Sequence, residues 1–128
     1  MGKPGSSPVA EDVLLYLKFI RNKRQEYFIC FSLDSGSQII RRRTVTIGLL
    51  NMAIVHPREV FAGPLKDRAA SIVVAHNHPS GIAEPSKEDI KTTQQLVAAG
   101  VLLGVPVKDH IIMTKDKAFS FREHQLIV

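Results

Sequence analysis

His76 and His78 stand two residues apart at the end of an apolar run, with a single asparagine between them. In an extended strand, residues two apart project to the same side, so both imidazoles can approach one cation. Asp89 follows in the first turn of a predicted helix, and a loop that folds back brings its carboxylate to the same point as a third ligand. Three protein ligands leave one tetrahedral position for water, the arrangement of a catalytic rather than a structural zinc. Each part also has a plainer explanation. Five histidines in 128 residues yield a His-x-His pair by chance about one time in five, and two histidines ending a strand can simply be solvated. Taken by itself, Asp89 is better explained as the partner of Ser86 in a capping box at the helix start. Cys30 is the only cysteine, which excludes an intramolecular disulfide and any zinc site built from two or more thiolates. A metal here is therefore held mainly by histidine and carboxylate.

The elements that must position these residues can be read from periodicity. Residues 69–75 form a short apolar run suited to a buried strand that leads straight into His76. After a Pro- and Gly-rich loop, Ser86 opens a helix with Ile90, Leu96 and Val97 on one side, ending near Gly100. Residues 105–113 and 118–121 supply further strands. Upstream, Ser7 and Pro8 read as the start of an amphipathic helix carrying Val13, Leu14, Leu17 and Ile20, closed by the basic run 21–24, which suits the helix dipole. Residues 26–33 and 37–47 flank the turn Asp34-Ser35-Gly36 as a hairpin, and Pro57 begins a helix with Val60, Phe61 and Leu65. The sequence predicts one α/β domain over residues 8–128, a mixed sheet flanked by helices, preceded at residues 1–7 by a flexible leader or an expression remnant.

Composition narrows the function. The chain is 45% hydrophobic with no apolar run near membrane-span length and no secretory h-region at its start, so a soluble cytoplasmic protein with no membrane partner is expected. Seventeen Lys and Arg against twelve Asp and Glu leave a net charge of +5, modest for a dedicated nucleic-acid binder. With no Trp, two Tyr and six Phe, the chain lacks the interleaved basic and aromatic pattern of a base-stacking surface. Among the other histidines, His56 reads as a turn residue, His110 as a satisfied sheet histidine and His124 as lying near a frayed end. None has metal-ligand spacing. The run Arg41-Arg42-Arg43 on a strand sends alternate side chains to opposite sides, and a solvated edge is the default reading.

The whole string His76-Asn77-His78-Pro79, with Ser86 and Asp89 at fixed offsets, matches the JAMM signature of JAB/MPN metalloproteases. The wording HNHPSG...PSKED, preceded by Val55-His56-Pro57-Arg58-Glu59-Val60-Phe61 and followed by Asp109-His110-Ile111-Ile112, resembles the RadC branch over nearly everything from residue 8 onward. That resemblance implies a JAB/MPN-type, cytidine-deaminase-like sheet and a zinc ion held by His76, His78 and Asp89. It also implies a general base at Glu26, which occupies the place of the JAMM glutamate on an early strand after the first helix. Glu59 is the competing candidate, although its position at a helix start has a dipole explanation. By the same resemblance Ser86 supports the developing oxyanion, beside or instead of capping its helix. RadC proteins usually carry a helix-hairpin-helix-like region associated with DNA, so the chain looks like an isolated C-terminal domain.

The implied function is a zinc-dependent hydrolase acting on a peptide or isopeptide bond, in a family associated with DNA repair. Two other classes remain open: a metal-dependent nuclease or phosphodiesterase, and a non-catalytic DNA-associated or oligomerising module with a structural or vestigial zinc. A single three-ligand site argues against the common two-metal route to phosphoryl transfer. Nucleobase deamination needs more thiols than Cys30 supplies. The expected partners are a peptide or protein substrate and, weakly and without sequence preference, nucleic acid.

Overall fold

The computed structural model describes residues 13, 15–18, 20–48, 52 and 55–127. In chain order the elements are β1 (Glu26–Leu33), β2 (Ile39–Gly48), α1 (Pro57–Lys66), β3 (Ser71–Asn77), α2 (Lys87–Leu103), β4 (Val107–Met113) and β5 (Ala118–Ser120). They are preceded by helical residues at 13 and 15–17. The five strands form one mixed sheet in the order β2-β1-β3-β4-β5, in which only β3 and β4 run parallel. The α2 helix makes the crossover between those two strands, as a parallel pair requires. β3 is the middle strand and every one of its residues is buried, which is why its sequence reads as an apolar run without alternation.

Strand alternation divides the core in two. Ile29, Phe31, Leu33, Val73, Ala75, Ile111 and Met113 face Val13, Leu17 and Ile20 of the first helical segment. Phe28, Cys30, Ile72, Val74 and Ile112 face the other way, against Val60, Phe61 and Leu96 of α1 and α2. His76 and His110 belong to this second side by the same alternation. The expected hairpin, the two later helices and the α/β class all stand in the structure. Ser7, Pro8 and Leu14 lie outside the described residues. Among the described residues, no helix is long and apolar enough to cross a membrane.

Several boundaries shift for physical reasons. α2 does not end at Gly100 but continues to Leu103, and Gly104 caps it in the left-handed region at φ 72°. Gly100 sits inside the helix because a Cβ there would stand 2.6 Å from the Val105 carbonyl oxygen. The buried stripe of α2 is Asp89, Thr92, Thr93, Leu96 and Gly100, whereas Ile90 and Val97 lie at its margin. Hydrophobic periodicity alone therefore aims the helix slightly wrong, since three of its inward residues are polar. The arginine run behaves as alternation requires. Arg41 and Arg43 both reach Asp67, Arg43 through two hydrogen bonds, while Arg42 lies over the Tyr16 ring. His124, near the chain end, is held in a turn by stacking on Phe119 and a 2.9 Å contact to the Ser120 carbonyl.

Candidate metal centre

His76 stands near the C-terminal end of β3, and the chain leaves the strand with the His78 N–H donating to the Met113 carbonyl at 2.8 Å. Asn77, between the two histidines, is buried and faces the opposite way. Its Oδ1 accepts the Tyr27 N–H at 2.7 Å and its Nδ2 donates to the Gln25 carbonyl at 3.0 Å. These bonds clamp the segment around Glu26 onto the end of β3. In the β1–β3 ladder Phe28 pairs with His76, so Glu26, two residues before Phe28, projects to the same side of the sheet as His76.

From the other direction, the loop after Pro79 returns to start α2 at a complete capping box. The Ser86 hydroxyl accepts the Asp89 N–H at 3.0 Å and an Asp89 carboxylate oxygen accepts the Ser86 N–H at 2.8 Å. This places Asp89 against both imidazoles, so capping and metal binding are not alternatives for this residue. His76 Nε2 and His78 Nε2 lie 2.9 Å apart, and Asp89 oxygens stand 3.5 Å and 3.3 Å from them. A tetrahedral ion with bonds of about 2.0–2.1 Å spaces its ligand atoms by about 3.3 Å. The two nitrogens sit somewhat closer than that, each imidazole faces a different Asp89 oxygen (Oδ1 for His76, Oδ2 for His78), and the donor set of two imidazoles and a carboxylate fits zinc. His76, His78 and Asp89 form a group that could hold a metal ion.

The hydrogen bonds behind the group fix which ring nitrogen faces inward. Thr93 Oγ1 lies 2.7 Å from the Asp89 carbonyl, which can only accept, so the hydroxyl spends its proton there. It must then accept from His110 Nδ1, 2.6 Å away. His110 is fully buried, stacked on Phe121 and edged by Phe28, and burial pushes its pKa well down, so it is neutral and its Nε2 bears a lone pair. That lone pair accepts from His76 Nδ1 at 2.7 Å, leaving His76 Nε2 unprotonated toward the cluster. His78 Nδ1 likewise donates to the Ile82 carbonyl at 2.8 Å. Burial opposes charge on all three members of the group. It lowers the pKa of His76, but for His78 the hydrogen bond to Asp89 and the Ile82 carbonyl prevail and raise it. The imidazoles in turn outweigh burial at Asp89 and hold it well below the ordinary carboxylate range.

Glu26 feels the same cluster: burial raises its pKa, while the nearby charges of His78 and Asp89 lower and raise it respectively. Glu59 is exposed and pairs with Arg58 at 3.6 Å. The Ser86 oxygen accepts a helix N–H and still keeps its own proton to donate. His56 caps α1 without a side-chain hydrogen bond. Sequence reasoning missed the roles of Asn77, Thr93 and His110. Thr93 was findable, because it stands four residues after Asp89 and so shares its helix face. Asn77 and His110 act through partners far along the chain and leave no local signal.

Fold and site together define an α/β domain that presents a group of two histidines and an aspartate at the end of its central strand. The chain belongs to the RadC-like JAB domain family, which matches residues 7–126, as the motif led us to expect, and the five-stranded mixed sheet is consistent with the JAB/MPN type. It is 52% identical to a UPF0758 protein of Methanospirillum hungatei over 103 residues, 80% of this chain and 46% of that protein. It is 46% identical to a UPF0758 protein of Bacillus cereus over 114 residues, 88% of this chain and 51% of that one. The chain thus spans about half the length of the curated relatives it matches.

Proposed function

We propose that this domain is a zinc-dependent hydrolase of the JAMM type that cleaves a peptide or isopeptide amide. The observation that carries this reading is the convergence of His76 Nε2, His78 Nε2 and Asp89 at 2.9–3.5 Å, with both Nδ1 atoms committed elsewhere. A zinc ion held by His76, His78 and Asp89 would supply a Lewis acid that makes water acidic enough to be deprotonated near neutral pH. Glu26, at the start of β1 and within electrostatic reach of His78 and Asp89, takes the proton from the attacking water and passes it to the leaving amine. Ser86, anchored by the Asp89 N–H, donates its hydroxyl proton to the oxyanion that forms on the substrate carbonyl. Burial of His76 and Asp89 excludes water from the inner side of the group.

The reading is tested by metal analysis of the purified chain and a peptide-library cleavage assay with and without chelator. We expect about one zinc per chain and cleavage that chelation stops. Glu26→Gln is expected to retain zinc and fold but to lose roughly 10²–10⁴-fold in turnover, since an amide cannot accept the proton. Glu59→Gln is expected to be unaffected. Full activity of the Glu26 variant would move the base elsewhere. Among the described residues only one candidate metal group is found, which disfavours the two-metal nuclease alternative.

A further inference from the structure

A cleft of about 330 Å³ opens directly beside the metal-binding group, with His78 and Pro79 as one wall. Its remaining lining is Arg21, Asn22, Lys23, Arg24 and Lys115, so four cations and no carboxylate face one small volume. None of the four makes an ion pair within the described residues, and like charges gathered without counter-charges favour an incoming anion. Arg21 is also placed by a contact of its own. Arg21 Nε donates to the Thr114 carbonyl at 3.2 Å, which leaves the terminal guanidinium nitrogens available for a two-pronged contact. The Lys23 carbonyl accepts from Asn77 Nδ2 at 3.4 Å, so the same asparagine that positions Glu26 ties the basic segment to β3. A second cleft, of about 440 Å³, holds Glu26 and shares Arg24 and Pro79 with the first.

We propose that the basic cleft is a specificity subsite for a carboxylate on the peptide substrate, seated next to the scissile amide. The choice of a peptide rests on the hydrolase reading. The volume adds to it, since it lies at the low end of ligand sites, about 300–1,000 Å³, and suits a side chain or a chain end rather than a nucleic-acid backbone. A peptide whose carboxylate is held there crosses the shared rim of Arg24 and Pro79, which lays the adjoining amide over the cluster.

The test is fluorescence anisotropy on the zinc-loaded chain with three labelled peptides: internal Glu with an amidated end, internal Gln with a free carboxylate end, and internal Gln with an amidated end. Initial anisotropy reads binding and its decay reads cleavage. At least one carboxylate peptide is expected to bind about tenfold more tightly than the uncharged one, and the two carboxylate peptides show whether a side chain or a chain end is preferred. Lys23→Glu combined with Lys115→Glu, both exposed positions, is expected to reduce that preference below about threefold. Equal binding of all three peptides, or a preference that survives the charge reversal, would overturn the subsite. Displacement of the acidic peptide by duplex DNA that persists at ~0.2 M salt, with DNA affinity lost in the same variant, would overturn it in favour of nucleic acid. Charge-dependent binding without cleavage would support the cleft while sinking the hydrolase reading.

Discussion

The two histidines of the candidate metal group are oriented by different means. His78 is turned by a local carbonyl four residues ahead, whereas His76 depends on a buried relay of Thr93 and His110 that reaches it from α2 and β4. His76→Ala or His78→Ala is expected to abolish zinc retention, because one lost nitrogen leaves too few donors to compete with water. Undiminished zinc in a folded double variant would remove the metal assignment. His110 is a positioning residue and makes a subtler claim. His110→Phe keeps an aromatic ring between Phe28 and Phe121 but offers no lone pair to His76 Nδ1–H, so the fold is expected to hold while zinc affinity falls about 10–100-fold. Competition against a chromophoric chelator measures this, and an unchanged affinity would show that His76 is oriented without the relay.

At the scale of elements, the Arg43–Asp67 pair joins edge strand β2 to the end of α1, with the Ser32 hydroxyl also donating to the carboxylate at 2.8 Å. The Arg43 hydrogen bonds hold the Asp67 pKa down at about 2, below the roughly 3.9 of an unfolded chain. A depressed carboxylate adds stability that is complete above the unfolded value and is lost as pH falls through the folded one. After allowance for solvent screening, its size is about 1 kcal/mol. Arg43→Met is therefore expected to be less stable by about 1 kcal/mol at pH 7, with the gap closing as the pH approaches 2, which urea unfolding at several pH values can follow. A gap independent of pH would mean that the lost contact is packing rather than charge. This pair was hidden in the sequence, where the run 41–43 gives alternation but no partner, because Asp67 lies 24 residues further on. By contrast, the site's two halves were legible because each lies on a local pattern: His-x-His on a strand end and Ser-x-x-Asp on a helix start. The end of α2 misled because Gly100 looks like a cap and is in fact a close approach to Val105.

At the scale of the molecule, the site depends on three parts of the chain meeting at one end of the sheet: the start of β1, the end of β3 and the start of α2. Periodicity named those elements but not their order in the sheet. The insertion of β3 between β1 and β4 brings Glu26 and the two histidines to one place. The same assembly gathers positive charge on that end, from Arg21, Lys23, Arg24 and Lys115, out of a net charge of only +5. Such a surface attracts phosphate chiefly by releasing counterions. With about four phosphates neutralised, log K is expected to fall with log salt at a slope of roughly −3 to −4. The chain is therefore expected to bind duplex and branched DNA weakly, with little preference between sequences, and to release it as salt is raised toward ~0.2 M. Titration against both forms at two ionic strengths measures this. Tight binding that persists at the higher salt, or metal-dependent strand cleavage by a preparation free of contaminating nuclease, would replace the amide with a phosphodiester as the bond this site acts on.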